Sequence, residues 1–260
     1  MTAGAGKIER LACLELRGGN QLSTYSARLP GMTAWVSCNP LQPSTRGGDL
    51  YYLSACSHGS IARMVIADVS GHGERVSAAA GRLEDALRQH IDLWDQSVLI
   101  RDLSESFFRR EHGLQFATAF LGSFASESGD LLFTNAGHML PLRYRAATRK
   151  WSYLQDFMPQ PKKISDPPLG LIPGTEYHQT AARLAPGDLL ILYTDGLNEA
   201  ENEAGDQLGL ACLLSIARNL PVHSPAVAGG SLLAAVARFR GNVPAKDDAT
   251  VVALRCEGAA

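Results

Sequence analysis

Residues 65–80 read VIADVSGHGERVSAAA, and the fold turns on how this stretch divides. Val65 to Val69 is an apolar run of the kind that fills a buried β-strand. From Glu74 onward the period changes, with Val76, Ala80, Leu83, Leu87 and Ile91 recurring at spacings of three and four, which predicts an amphipathic helix. Asp68 stands where the two meet, followed at once by Ser70-Gly71-His72-Gly73. A carboxylate withdrawn from water is costly unless a cation or hydrogen-bond donors compensate it. The sequence therefore calls for something positive, or a set of amide donors, beside Asp68.

Outward from this junction, MTAWVSCNP (32–40) reads as a strand ending at a proline, GGDLYYLSAC (47–56) as a strand entered through a glycine pair, and ARMVIADV (62–69) as a third. LWDQSVLIRDLSESFFRRE (93–111) predicts a second amphipathic helix carrying Leu99, Leu103 and Phe107. LQFATAFLGSFAS (114–126) and DLLFTNAGHMLPLRYR (130–145) read as paired strands joined by the turn residues Glu127 to Asp130. The five prolines of DFMPQPKKISDPPLGLIPG (156–174) mark an irregular excursion. GDLLILYTDG (187–196) is an apolar strand, LGLACLLSIARNL (208–220) a helix, and DDATVVALR (247–255) a closing strand that opens on two acids. Without regular strand-helix alternation, this order predicts an antiparallel α+β layered fold. Residues 1–30 read as an N-terminal segment, an edge element with a turn packed on the core, and residues 31–256 as a single domain.

The chain has 260 residues, of which 45% are hydrophobic and 19% charged, values ordinary for a globular protein. A formal net charge of -2 gives no reason to expect nucleic acid or an anionic membrane; the doublets Arg109-Arg110 and Lys162-Lys163 read as solvated faces. Five cysteines (Cys13, Cys38, Cys56, Cys212, Cys256) contain no Cys-x-x-Cys pair, which argues against a zinc site or a disulfide framework. With no apolar leader and no stretch of roughly 20 apolar residues, a soluble cytoplasmic protein is the expectation.

Asp49, Asp68, Asp195 and the pair Asp247-Asp248 each stand at the edge of an apolar strand. Any one of them suits a turn; together they suit a hard divalent cation, Mg²⁺ or Mn²⁺, which prefers carboxylate and carbonyl oxygens. His72 and His138 lack the paired spacing that zinc or a di-iron centre would need. Gly47, Gly48, Gly71, Gly73 and Gly196 leave room for ions and phosphate. A site of two such ions could activate water for in-line attack on a phosphate ester, without a protein nucleophile.

The ordered motifs GGDLYY, ADVSGHG, FATAFLGSF, LLFTNAGHMLPL, PLGLIPG, LAPGDLLILYTDGLNEAEN and DDATVVAL closely resemble the SpoIIE/RsbU-type branch of the metal-dependent (PPM, type 2C) serine/threonine protein phosphatases. The resemblance runs from about Gly31 to Arg255. It implies a four-layer αββα sandwich, two antiparallel β-sheets flanked by helices, binding two Mn²⁺ or Mg²⁺ ions at one edge. Carried across residue by residue, the metal aspartates fall on Asp49, Asp68, Asp195 and Asp247, with the backbone carbonyl of Val69 as a further ligand. Asp248 ranks second because eukaryotic relatives often have asparagine there. Arg46 and His72 are phosphate-binding candidates; His72 follows Asp68 by four residues, whereas the eukaryotic enzymes carry a histidine two residues after the aspartate. Asn135 and His138 of NAGH are expected to hydrogen-bond a turn, the pairs Tyr51-Tyr52 and Phe107-Phe108 to sit in the core, and Glu199 to lie near the metal edge.

The implied activity is hydrolysis of phosphoserine or phosphothreonine on a partner protein by metal-activated water, in bacterial partner-switching signalling. An anti-sigma-factor antagonist is the substrate type this branch implies, and a separate regulatory protein is a further expected partner. Two alternatives stay open: a phosphatase-like binding module without turnover, and a hydrolase of small phosphoesters.

Overall fold

In the computed structural model, which describes residues 9–11, 16–55, 60–71, 74–89, 96–112, 114–154 and 165–257, the stretch at 65–80 divides where its period changes. The strands are β1 (Glu9–Arg10), β2 (Leu16–Gln21), β3 (Ser23–Leu29), β4 (Met32–Asn39), β5 (Arg46–Ala55), β6 (Ile61–Val69), β7 (Ala117–Ala125), β8 (Asp130–Ala136), β9 (Leu142–Arg145), β10 (Lys150–Tyr153), β11 (Thr180–Arg183), β12 (Leu189–Tyr193) and β13 (Ala249–Cys256). The helices are α1 (Glu74–Gln89), α2 (Gln96–Arg110), α3 (Gly209–Ala217) and α4 (Pro225–Arg240).

Seven strands in the order β1-β3-β4-β13-β12-β9-β10 make one sheet, and six in the order β11-β8-β7-β6-β5-β2 make the other. Pairing is antiparallel except between the short β1 and β3, which run parallel. The sheets stack face to face. Met64, Phe120, Phe124 and Phe133 of the six-stranded sheet meet Val36, Leu192, Val252 and Leu254 of the other, and Phe120 stacks on Phe133 at 5.3 Å. The outer face of the six-stranded sheet is covered by Val76, Leu83 and Leu87 of α1 and Ile100, Leu103 and Phe107 of α2. Leu213 of α3 with Leu232 and Val236 of α4 cover Trp35, Ile191 and Val251 of the seven-stranded sheet. Four layers result, as the resemblance implied. Period-two geometry is visible within β5, where Leu50 and Tyr52 face the helices while Tyr51 and Leu53 face the other sheet. Because both faces are covered, the strands read as continuous apolar runs.

The structure departs from the sequence reading in three places. Residues 130–145 are two strands, β8 and β9, that belong to different sheets; Gly137 turns the chain at φ 72° and Pro141 withholds an N–H ahead of β9. Helix α4, entered through Pro225, carried no periodic signal strong enough to read. The segment read as one edge element with a turn supplies three strands, β1 and β2 at an edge of the seven- and six-stranded sheets respectively and β3 inside the seven-stranded one. Tyr51, Tyr52 and Phe107 are buried as expected, while Phe108 is half-buried. Among the described residues no helix is long and apolar enough to cross a membrane.

Candidate metal centre

Strand pairing creates the site. In the β5–β6 ladder Asp49 lies directly opposite Asp68, and in the β6–β7 ladder Asp68 lies opposite Thr118. Neighbours across a ladder point to the same face, so these three side chains project toward the seven-stranded sheet. From that sheet come Thr194 and Asp195, which follow β12, and Asp247 and Asp248, which precede β13. Thr194 joins the two halves: its Oγ1 donates to Asp49 Oδ2 at 2.7 Å and accepts the backbone N–H of Thr250 at 3.0 Å.

Charge and burial conflict here. Asp49 is only 2% exposed; burial, and then the neighbouring Asp68 charge, hold its carboxyl well above the usual carboxylate range, opposed by the Thr194 hydroxyl. Asp68 is pushed up to about 8, first by burial and then by Asp195, Asp247, Asp248 and Glu199. Asp195 is raised by burial and by Glu199. Among the described residues, the charges that act most strongly on Asp68 all belong to acids, the arrangement that a bound cation relieves.

Asp248 is engaged differently from the other acids. Its Oδ1 accepts the N–H of Leu41 at 2.6 Å, and its Oδ2 accepts those of Gly48 at 2.6 Å and Asp49 at 3.4 Å. Asp247 is exposed, and its Oδ1 accepts the N–H of Asp248 at 2.8 Å. The glycines around them are required by close approach: a Cβ on Gly47 would lie 2.1 Å from Asp248 Oδ2, and one on Gly196 1.9 Å from the Asp248 carbonyl oxygen.

Of the residues singled out from sequence, Asp49, Asp68, Val69, Asp195, Asp247, Asp248 and Glu199 gather at one edge of the sandwich. Arg46 is exposed at the start of β5, in a groove of about 830 Å³ lined also by Pro43, Thr45, Ser77, Arg82 and Asp85. His72 lies outside the described residues. Asn135 does fasten a turn: its Oδ1 accepts the N–H of His138 at 2.7 Å and its Nδ2 donates to the His138 carbonyl at 3.0 Å. The His138 ring is buried, with Nδ1 2.8 Å from Thr118 Oγ1, and burial lowers its pKa to about 4. Thr194 was missed in the sequence; its only signal there was a hydroxyl residue directly before Asp195.

The donor chemistry fits a hard divalent cation. Carboxylates predominate, and Gly48, where a Cβ would meet Val76 Cγ1 at 2.6 Å and the Val69 carbonyl oxygen at 3.1 Å, lets β5 lie close to that carbonyl. Among the described residues no three acids, histidines or cysteines already stand in an arrangement that would hold a metal ion.

The family model described as Stage II sporulation protein E (SpoIIE) matches residues 59–257. Over 109 residues the chain is 28% identical to Protein IcfG of Synechocystis sp., a match covering 41% of this chain and 16% of that protein. Among solved structures, the PP2C phosphatase domain with a regulatory fragment of Bacillus subtilis SpoIIE superimposes with a TM-score of 0.70 at 18% identity, covering 86% of this chain and 63% of that one. The RsbU and RsbW domains of a Mycobacterium tuberculosis protein give 0.71 at 21% identity, covering 100% and 65%. RsbX in complex with magnesium gives 0.65 at 14% identity, covering 90% and 99%. The chain thus spans about a sixth of IcfG and just under two thirds of the first two structures.

Proposed function

Because the chain belongs to the SpoIIE family and has the PP2C phosphatase fold, we propose that it is a metal-dependent phosphatase that removes phosphate from serine or threonine of a partner protein. The observation that carries this reading is the facing pair Asp49 and Asp68, buried beside the further acids Asp195, Asp247 and Asp248. Asp49, Asp68, Asp195 and Asp247, with the Val69 carbonyl, would hold Mn²⁺ or Mg²⁺, two ions in the arrangement the family implies. When bound, such ions supply positive charge for phosphoryl oxygens and lower the pKa of water.

The chain's own groups do the rest. Thr194 holds one oxygen of Asp49 and so orients the other. Asp248 anchors the backbone on which Asp49 is carried. Gly48 and Gly196 let the backbone close up, the one against Val76 of α1 and the other against the Asp248 carbonyl. Arg46 would grip the phosphoryl oxygens of an ester that also reaches its groove against α1, which none of the five site aspartates lines. In keeping with relatives named for RsbU and RsbX, the substrate proposed is a phosphorylated antagonist of an anti-sigma factor, in a partner-switching circuit with a separate regulator.

The test is hydrolysis of a generic aryl phosphate and of a phosphoserine antagonist protein, each with Mn²⁺, with Mg²⁺ and after chelation. Metal-dependent release from the protein at the higher kcat/KM supports the proposal. Aryl phosphate turnover alone would favour a small-phosphoester hydrolase. Full turnover after chelation would overturn the metal mechanism, and binding of the phosphoprotein without release would favour a binding module.

A further inference from the structure

We propose that Asn20, in the stretch LRGGN that carried no functional reading in the sequence and lies outside the matched region 59–257, is a positioning residue for Asp49. It pins the peptide unit between Gly47 and Gly48. The inference rests on the metal-site reading above.

The ladder between β2 and β5 pairs Gly19 with Tyr51 and then jumps to Gln21 with Arg46. One residue of β2, Asn20, therefore faces residues 47–50 of β5. On the other side, the β5–β6 register begins only at Asp49 with Asp68. The Gly47–Gly48 peptide thus lies where neither ladder registers it, and both of its residues are glycine, the type with the widest choice of φ and ψ. Two side chains replace the missing ladder. Asn20 Nδ2 donates to the Gly47 carbonyl at 2.9 Å, and Asp248 Oδ2 accepts the Gly48 N–H at 2.6 Å. One peptide plane is gripped at its oxygen and at its nitrogen, and the next residue but one along the chain from Gly47 is Asp49.

Asn20 is also tied to α1, since its Nδ2 donates to the Ser77 carbonyl at 3.2 Å. It is 1% exposed. An amide has two N–H donors, and both have carbonyls to meet. The requirement is for a short side chain with two donors, which aspartate, of the same shape, cannot meet.

Asn20→Asp turns a donor into an acceptor opposite two carbonyls, and Asn20→Ala removes it. Loss of a group that orients metal ligands costs about 10–100-fold in metal affinity. Direct Mn²⁺ titration by calorimetry should show a dissociation constant raised by on the order of tenfold in both variants. In the aryl phosphate assay the half-saturating Mn²⁺ concentration should rise in parallel, with kcat largely recovered at excess metal. A merely structural asparagine would lower the thermal midpoint and leave Mn²⁺ affinity at the wild-type value well below melting; that result overturns the proposal. Amide hydrogen exchange on the wild-type protein decides the case if neither variant folds. Gly48 should be protected as strongly as the amides of the β5–β6 ladder, and rapid exchange there would overturn the pinning. If wild type binds Mn²⁺ without turnover, the phosphatase reading fails while the affinity comparison still decides the role of Asn20.

Discussion

Replacing Asp68 by asparagine removes a charge and keeps a shape, which separates a ligand from a turn residue. As a ligand, Asp68→Asn should lower turnover by orders of magnitude and weaken Mn²⁺ binding. It should also stabilise the metal-free protein. The folded carboxyl has its pKa at about 8 against an ordinary 3.8, so over that interval the unfolded chain releases the proton that the folded chain retains, and stability falls as pH rises. Asparagine is free of this loss. Thermal midpoints of both proteins in chelator should diverge from pH 5 to pH 8, and near-wild-type turnover in the variant would contradict the mechanism. His138 works in the opposite sense. With its pKa lowered from 6.5 to about 4, the unfolded state binds the proton first as pH falls. Stability is lost from pH 6.5 downward, by on the order of 3 kcal/mol once pH 4 is passed. Denaturant titrations of wild type and His138→Gln at pH 7 and pH 5 should show a smaller loss in the variant. The aspartates were legible in sequence because each ends or opens an apolar run. Thr194 and Asn20 were not, because what matters about them is a contact across 145 and 27 residues of chain.

Helix α4 shows why an element can hide. Its sequence, PAVAGGSLLAAVARFR, holds two adjacent glycines that lower helix propensity, yet the two serve different ends. A Cβ on Gly229 would stand 2.4 Å from Trp35 Cε3 and Cζ3, whereas one on Gly230 meets nothing within 4 Å. Gly229 is small so that the helix can lie against the indole. Gly230→Ala should therefore stabilise the protein by about 0.5–1 kcal/mol through backbone entropy. Gly229→Ala should cost about 1–3 kcal/mol through overpacking. Urea denaturation of the two variants checks the contrast, and equal effects would refute the packing argument. Helices α1 and α2 were legible from their spacing. How they are tied down was less so: Arg82 of α1 pairs with Glu111 after α2 at 2.6 Å, Ser104 of α2 accepts the Gly170 N–H at 3.0 Å, and the Ser77 carbonyl of α1 accepts from Asn20 at 3.2 Å. A regulator that moves these helices is expected to change both turnover and their hydrogen-exchange protection.

Across the whole molecule, an antiparallel layered fold was legible from the order of strands and helices without regular alternation, and its four layers from the family resemblance. The assignment of strands to sheets was not, since only five residues, Gly137 to Pro141, separate β8 from β9 in the chain, yet the two strands lie in different sheets. Metal is expected to act on this scale too. The acids proposed as its ligands come from both sheets, so Mn²⁺ at a hundred times its dissociation constant should stabilise the fold by about 2.7 kcal/mol, seen as a raised thermal midpoint that chelator reverses. Thiol reagents should leave turnover intact. Among the described cysteines, Cys212 is exposed on α3, while Cys38 and Cys256 are buried and burial pushes the Cys38 thiol up to about 12. Stoichiometric inactivation by an alkylating agent would argue for a cysteine nucleophile instead.

Strand β13 lies between β4 and β12 in the middle of its sheet, although it is the last strand in chain order. While the protein is being synthesised, β4 and β12 therefore wait for a neighbour that the ribosome has not yet delivered, and the acids at 247 and 248 arrive only just ahead of it. The parts made earlier can collapse and pair locally, but long-range pairing of this kind comes late. If the acids hold metal as proposed, a nascent chain would be inert until β13 is inserted, because the insertion that completes the sheet also delivers Asp247 and Asp248 to the site.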